Sequence, residues 1–270
     1  MNGLRSVTIG TSDLNKSQAL LTDVLGMTVG QKKHALRFGD ADLASGTRVH
    51  VVEIPNYNIA NNQINSIGLR VPTDEALLEY QAILKEVGID YSAITTLNDH
   101  QYFHFKDHDG QQFAIYSNEH NSGTPLGMPS FDSSVNPLHQ IQGLAPVIIK
   151  VNEPLLTQSI LSKVFNLTHY AEYVASDNDD FKVQVFKIGD GGLGGELHLY
   201  PAAEEINMPA HGIVEQIEFA TESTEEYQHA LQQLEVIGIP YQTLDQGDAQ
   251  SLRISENSGI TFILTLEKTK

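Results

Sequence analysis

Hydrophobic positions along the chain switch repeatedly between two periods. In LRSVTIGTSDLNKSQALLTDVLGM, residues 4–27, Val7, Ile9 and Thr11 alternate with their neighbours and predict a half-buried strand. Ser12 or Asp13 can cap a following helix, whose apolar side is Leu14, Ala19, Leu20, Leu21, Val24 and Leu25, with Gly26 as its stop. LAPVIIKVNEPLLTQSILSKVFNL, residues 144–167, repeats the strand, turn and helix. A second pair is clearer. INSIGLRVPTDEALLEYQAILKEVGIDY (64–91) and VEQIEFATESTEEYQHALQQLEVIGIPY (214–241) bring the helix stops Gly88 and Gly238 into register, and with them Tyr91 and Tyr241.

Short strand candidates follow each strand–helix unit: RVHVVEI (48–54), YFHF with FAIY, ELHLY (196–200), and SLRI with TFILTL. The predicted architecture is α+β, four βαβββ modules over 1–57, 58–120, 141–201 and 202–268. A linker over 121–140 joins residues 1–120 to 141–268; its first part, NSGTPLGMPSFDSSVNP, is rich in Gly, Pro and Ser. Which modules pair is left open.

Composition narrows the function classes. At 270 residues, 40% hydrophobic and 19% charged, the chain has room for two cores and is not disordered in character. A formal net charge of −18 with no basic run argues against nucleic-acid binding. The absence of cysteine excludes disulfides, thiolate metal sites and a cysteine nucleophile. The first residues enter a strand pattern without a signal-peptide layout, and no apolar run reaches the length of a membrane helix. The expectation is a cytoplasmic monomer or homodimer that meets neither nucleic acid nor membrane.

With the strand–turn–SDL–helix–LGM opening and the fourfold repeat in view, the chain resembles the vicinal oxygen chelate superfamily of glyoxalases, bleomycin-resistance proteins and extradiol dioxygenases. IQGLAPVIIKV followed by FKIGDGGLGGELHLY resembles the bacterial hydroquinone-type ring-cleaving dioxygenases. The resemblance implies two cup-shaped, glyoxalase-like domains built from paired modules. It also implies a metal held by a His in the first strand of a module and a Glu in the fourth. Carried over, the first-strand places hold Ser6, Ser66, Pro146 and Gln216, and the fourth-strand places hold His50, Ala114, His198 and Ile263. The ring-cleaving trio falls on Ser6, Gln216 and Ile263, which cannot hold Fe(II). In FKDHDGQQFAIY (105–116) the family glutamate is replaced by Ala114. Glu215 flanks Gln216, but a slip of one residue would point it away from the cup.

His50 and His198 are the weak metal candidates, with Gln216; a histidine packed on a strand is the plainer reading. His100, His104 and His108 are spaced by four, which on a strand puts them too far apart to share a metal. GDGGLGGE (189–196) lacks the Lys-Ser/Thr of a phosphate loop, and SDNDD (176–180) reads as a solvated turn. No GxSxG elbow occurs.

The expectation is a protein without the family metal or another cofactor, with its catalytic residues, if any, unassigned. It would bind a small, aromatic molecule in a pocket lined by Tyr57, Tyr102, Phe103, Tyr116, Tyr200 and Phe262, or serve a non-catalytic role. One alternative is an Fe(II)- or Mn(II)-dependent ring-cleaving dioxygenase or lyase with an atypical ligand set. A second is an interaction protein resembling the streptococcal CppA type.

Overall fold

The computed structural model describes residues 1–32, 35–39, 48–175, 178–209, 212–245, 247 and 249–267, with side chains 31–32 and 178–180 set aside. Module 1 is β1 (Gly3–Thr11), α1 (Leu14–Gln18), β2 (Val29–Lys32), β3 (Ala35–Phe38) and β4 (Arg48–Glu53). Module 2 is β5 (Ile64–Val71), α2 (Asp74–Glu86), β6 (Thr95–Leu97), β7 (His100–Lys106) and β8 (Gln112–Ser117). Module 3 is β9 (Leu144–Val151), α3 (Pro154–Lys163), β10 (Thr168–Ala175), β11 (Asn178–Lys187) and β12 (Glu196–Pro201). Module 4 is β13 (Gln216–Thr221), α4 (Thr224–Ile237), β14 (Gln242–Asp245), β15 (Ala249–Ser255) and β16 (Thr261–Glu267). All four expected βαβββ units are present.

Local chemistry sets the helix ends. The Asp13 carboxylate accepts from the Asn15 and Lys16 amides, and α1 then widens into a π-helical turn, Ala19–Val24. Thr73 and Ser223 cap α2 and α4 in the same way, and Gly238 closes α4 in the left-handed region at φ 77°.

The strands form two curled eight-stranded sheets, with order β14-β15-β16-β13-β1-β4-β3-β2 in sheet A and β10-β11-β12-β9-β5-β8-β7-β6 in sheet B. Module 1 is thus joined to module 4 through antiparallel β1 and β13, and module 2 to module 3 through β5 and β9. Each sheet draws on both halves of the chain. Alternation divides every central strand between two faces. Val7, Ile9, Val49, Val51, Ile217, Phe219, Phe262 and Leu264 go to the helix side, in an apolar core that continues through sheet B. Ser6, Thr8, Arg48, His50, Gln216, Glu218, Ile263 and Thr265 take the opposite face, the floor of a cup.

Residues 121–140 strap the modules together. The Ser133 hydroxyl donates to the Gly26 carbonyl at 2.8 Å, and Val135 and Gln140 are buried. Among the described residues no helix is long and apolar enough to cross a membrane.

Candidate functional site

Four of the eight family positions, Ser6, His50, Gln216 and Ile263, share the floor of cup A. β1 runs parallel to β4, and β13 parallel to β16. In register, Ser6 faces Glu218, Thr8 faces both Gln216 and His50, and Glu218 faces Ile263. Ser6, Gln216 and Ile263 therefore gather around a residue the sequence reading missed, Glu218, which lies between them. Its signal was available: it is two residues beyond Gln216 and shares its strand face.

Glu218 is buried, and each of its oxygens is used. The Ser6 hydroxyl donates to Oε2 at 2.5 Å; Arg5 Nη1 and the Thr265 hydroxyl reach Oε1 at 2.8 and 2.6 Å. Arg5 also donates through Nε to Glu267 at 2.7 Å. Arg5 can do this because the β1–β13 register shifts between Leu4 and Ser6, a bulge that brings two consecutive side chains toward one carboxylate. Burial pushes the Glu218 carboxyl up, but the Arg5 charge and the two hydroxyls outweigh it, and its pKa lies below the ordinary value.

Cup B is filled by its own side chains. Tyr102 and Tyr116 stack at 4.8 Å between centroids, and Tyr173 meets the His198 ring edge-on. His198 is fully buried, with Nδ1 3.0 Å from the Tyr173 hydroxyl and Nε2 3.0 Å from Glu196 Oε2. The other Glu196 oxygen accepts from Tyr170. Both His198 nitrogens are thus engaged within the protein. The other family places in this cup are Ser66, Pro146 and Ala114: Ser66 pairs with Gln112 and Ile148, while Ala114 pairs with Gly68 and packs beside Tyr116.

Several expectations are corrected. The six aromatics do not share a pocket: Phe103 and Phe262 are in the helix-side core, Tyr102, Tyr116 and Tyr200 face cup B, and Tyr57 accepts a hydrogen bond from Asn62. His108 is on the turn after β7, not on the strand with His100 and His104. With Asp107 and Asp109 it forms the one group of three close-set ligand types found among the described residues. That group is outside both cups. The Asp107 carboxylate accepts from the Asp109 and Gln111 amides, and Asp109 binds the Ser12 amide and hydroxyl and the Thr11 hydroxyl. Of SDNDD, Ser176 and Asp177 lie outside the described residues, and 178–180 begin β11.

Glu215 does point away from the cup. It is buried and accepts from the Gln63 and Ile64 amides at 2.5 and 3.1 Å, tying module 4 to module 2. Burial outweighs these bonds and raises its carboxyl to about 7.

The glycines of GDGGLGGE make room for the strap. Leu193 N donates to Asn121, Thr124 N to the Gly191 carbonyl, and a side chain at Gly192 would run into the Ser122 carbonyl. Buried Arg70 passes beside Gly194 and Gly143 to donate to the Thr124 and Pro125 carbonyls.

Comparison with known proteins agrees with this fold. Residues 3–115 match the model of the Glyoxalase/Bleomycin resistance protein/Dioxygenase superfamily. The "Putative ring-cleaving dioxygenase MhqA" of Bacillus subtilis (strain 168) is 27% identical over 210 residues, 74% of this chain and 65% of that protein. The chain therefore spans just under two thirds of that relative's length. Among solved structures, a "putative dioxygenase" of B. subtilis superposes with TM-score 0.74 at 16% identity, over 99% of this chain and 86% of that one. The cppA protein of Streptococcus pneumoniae TIGR4 superposes with TM-score 0.60 at 11% identity over 100% of both chains. At those identities the likeness is one of fold.

Proposed function

We propose that this member of the glyoxalase/bleomycin resistance protein/dioxygenase superfamily works without the family metal, as a protein that binds a small molecule in the cup shared by modules 1 and 4. The observation that carries the proposal is the Arg5–Glu218–Ser6–Thr265 cluster at the place where the first-strand and fourth-strand positions converge. Fe(II) or Mn(II) is held by neutral imidazoles and carboxylates that leave open positions for substrate and O₂. Here Ser6, Gln216 and Ile263 supply a hydroxyl, an amide and an alkyl group. The carboxylate between them already has its counter-charge in Arg5, 2.8 Å away. A divalent cation would have to displace that guanidinium, so the donor set does not fit the metal. Cup B offers His198, whose nitrogens are committed to Tyr173 and Glu196.

The second reading, a metal-dependent ring-cleaving dioxygenase, is favoured by the likeness to the B. subtilis protein and by His50 on the floor of cup A. Elemental analysis separates the two. Protein expressed with added iron, manganese and zinc, then dialysed, is expected to hold well under one equivalent of any of them. One equivalent, lost on His50→Ala, would establish the second reading instead.

A further inference from the structure

Glu215 belongs to neither cup. It precedes β13, and its carboxylate crosses the seam between the sheets to the start of β5, where it accepts from the Gln63 and Ile64 amides. Burial is the largest influence on that carboxyl, the two amides come next, and Lys150 comes last. Among the described residues none makes an ion pair with it. An ionised carboxylate in such a place is costly unless a counter-charge reaches it.

Beside the carboxylate is a small enclosed cavity, whose lining includes Tyr57, Asn58, Asn61, Asn62, Glu215 and Gly259. It leaves about 10 Å³ for the centre of a water-sized sphere, which is room for one such particle. Its walls come from the β4–β5 connection, the residue before β13 and the β15–β16 turn, so modules 1, 2 and 4 meet there. The Gln63 side chain is only 1% exposed, yet neither its Oε1 nor its Nε2 is hydrogen-bonded. It lies against the cavity wall: Nε2 would be 3.4 Å from a methyl group placed on Gly259. A buried side-chain amide with both ends unmet within the protein points to a bound water or ion. The Tyr57 hydroxyl, which accepts from Asn62 at 2.5 Å, adds a further oxygen.

We infer that this cavity is a site for one water-sized monovalent cation, of the size of potassium or ammonium, held by the Glu215 carboxylate and by oxygens of Gln63, Tyr57 and the neighbouring asparagines. Amide oxygens can replace the hydration shell of such an ion. Mg²⁺ keeps several waters and Ca²⁺ gathers a larger oxygen shell, so a space for one particle suits neither. Glu215 points away from cup A, so the site is separate from the family metal places and independent of what the cup binds. An ion there would cross-link the two sheets at their seam.

The full chain is unfolded thermally at about pH 8, where Glu215 is ionised and histidine is neutral. Potassium, ammonium and N-methylglucamine chlorides are compared at equal ionic strength. The two small cations are expected to raise Tm saturably, by about 2–4 °C over the bulky one. Glu215→Gln keeps the shape without the charge and should abolish the difference, and Gln63→Leu should reduce it. Rubidium, a potassium-sized anomalous scatterer, locates the ion: crystals grown in its chloride should show an anomalous peak beside Glu215. Equal Tm in all three salts, or water alone in the cavity of the rubidium crystals, would overturn the inference. A cation effect that persists undiminished in Glu215→Gln would overturn it too, by assigning the effect to the acidic surface.

Discussion

At the scale of single residues, two buried glutamates three positions apart have opposite fates. Glu218 is ionised because Arg5, Ser6 and Thr265 are arranged around it. Its folded pKa lies below the unfolded value, so it contributes stability above an unfolded pKa of 4.5, and that contribution is lost as pH falls through the folded value. Glu218→Gln should therefore cost about 1–3 kcal/mol at pH 7, with the gap to the parent protein closing in acid, as read by urea denaturation across pH. Glu215 has its pKa raised to about 7. Below pH 4.5 both folded and unfolded forms hold its proton. Between that and about 7 the unfolded chain ionises first and stability falls as pH rises; above 7 the loss is complete. Glu215→Gln should remove that slope, which amounts to a few kcal/mol at most. The strand face of Glu218 was legible in the sequence. Its partner was not, because Arg5 reaches it through a bulge, and a bulge breaks the alternation on which such a reading depends.

At the scale of elements, the four strand–helix units and the closing strands of the modules were legible, since the repeats, Asp13 as cap and Gly238 as stop all carry local signals, while β2, β3, β6, β10, β11 and β14 were not located. The glycine-rich run before β12 shows where local reading fails. Its glycines answer to a segment about seventy positions earlier, the strap at Asn121–Thr124, and to Arg70. Nothing within the run itself announces that. Gly192 is at φ +71° with the Ser122 carbonyl against it, so Gly192→Ala should cost about 2 kcal/mol or more. Limited proteolysis within 121–137 should speed up in that variant.

At the scale of the whole molecule, pairing was the part that sequence left open. All four modules carry the same pattern, and an exposed first strand is a suitable neighbour for any other. The structure resolves this by nesting, with modules 2 and 3 forming the inner pair and modules 1 and 4 the outer. A fragment of residues 1–120 would hold half of each sheet and should melt without a cooperative transition. Residues 58–201 hold all of sheet B and should retain cooperative unfolding by circular dichroism.

Nesting also sets an order of events during synthesis. In synthesis β1 meets its antiparallel neighbour β13 only after Thr221 has been made, when all the strands of sheet B have already been made. Until then one flank of β1 is an open template for any passing strand. The nascent chain thus carries a sticky edge on β1 throughout the synthesis of modules 2 and 3, and closing sheet A late is what finally seals it.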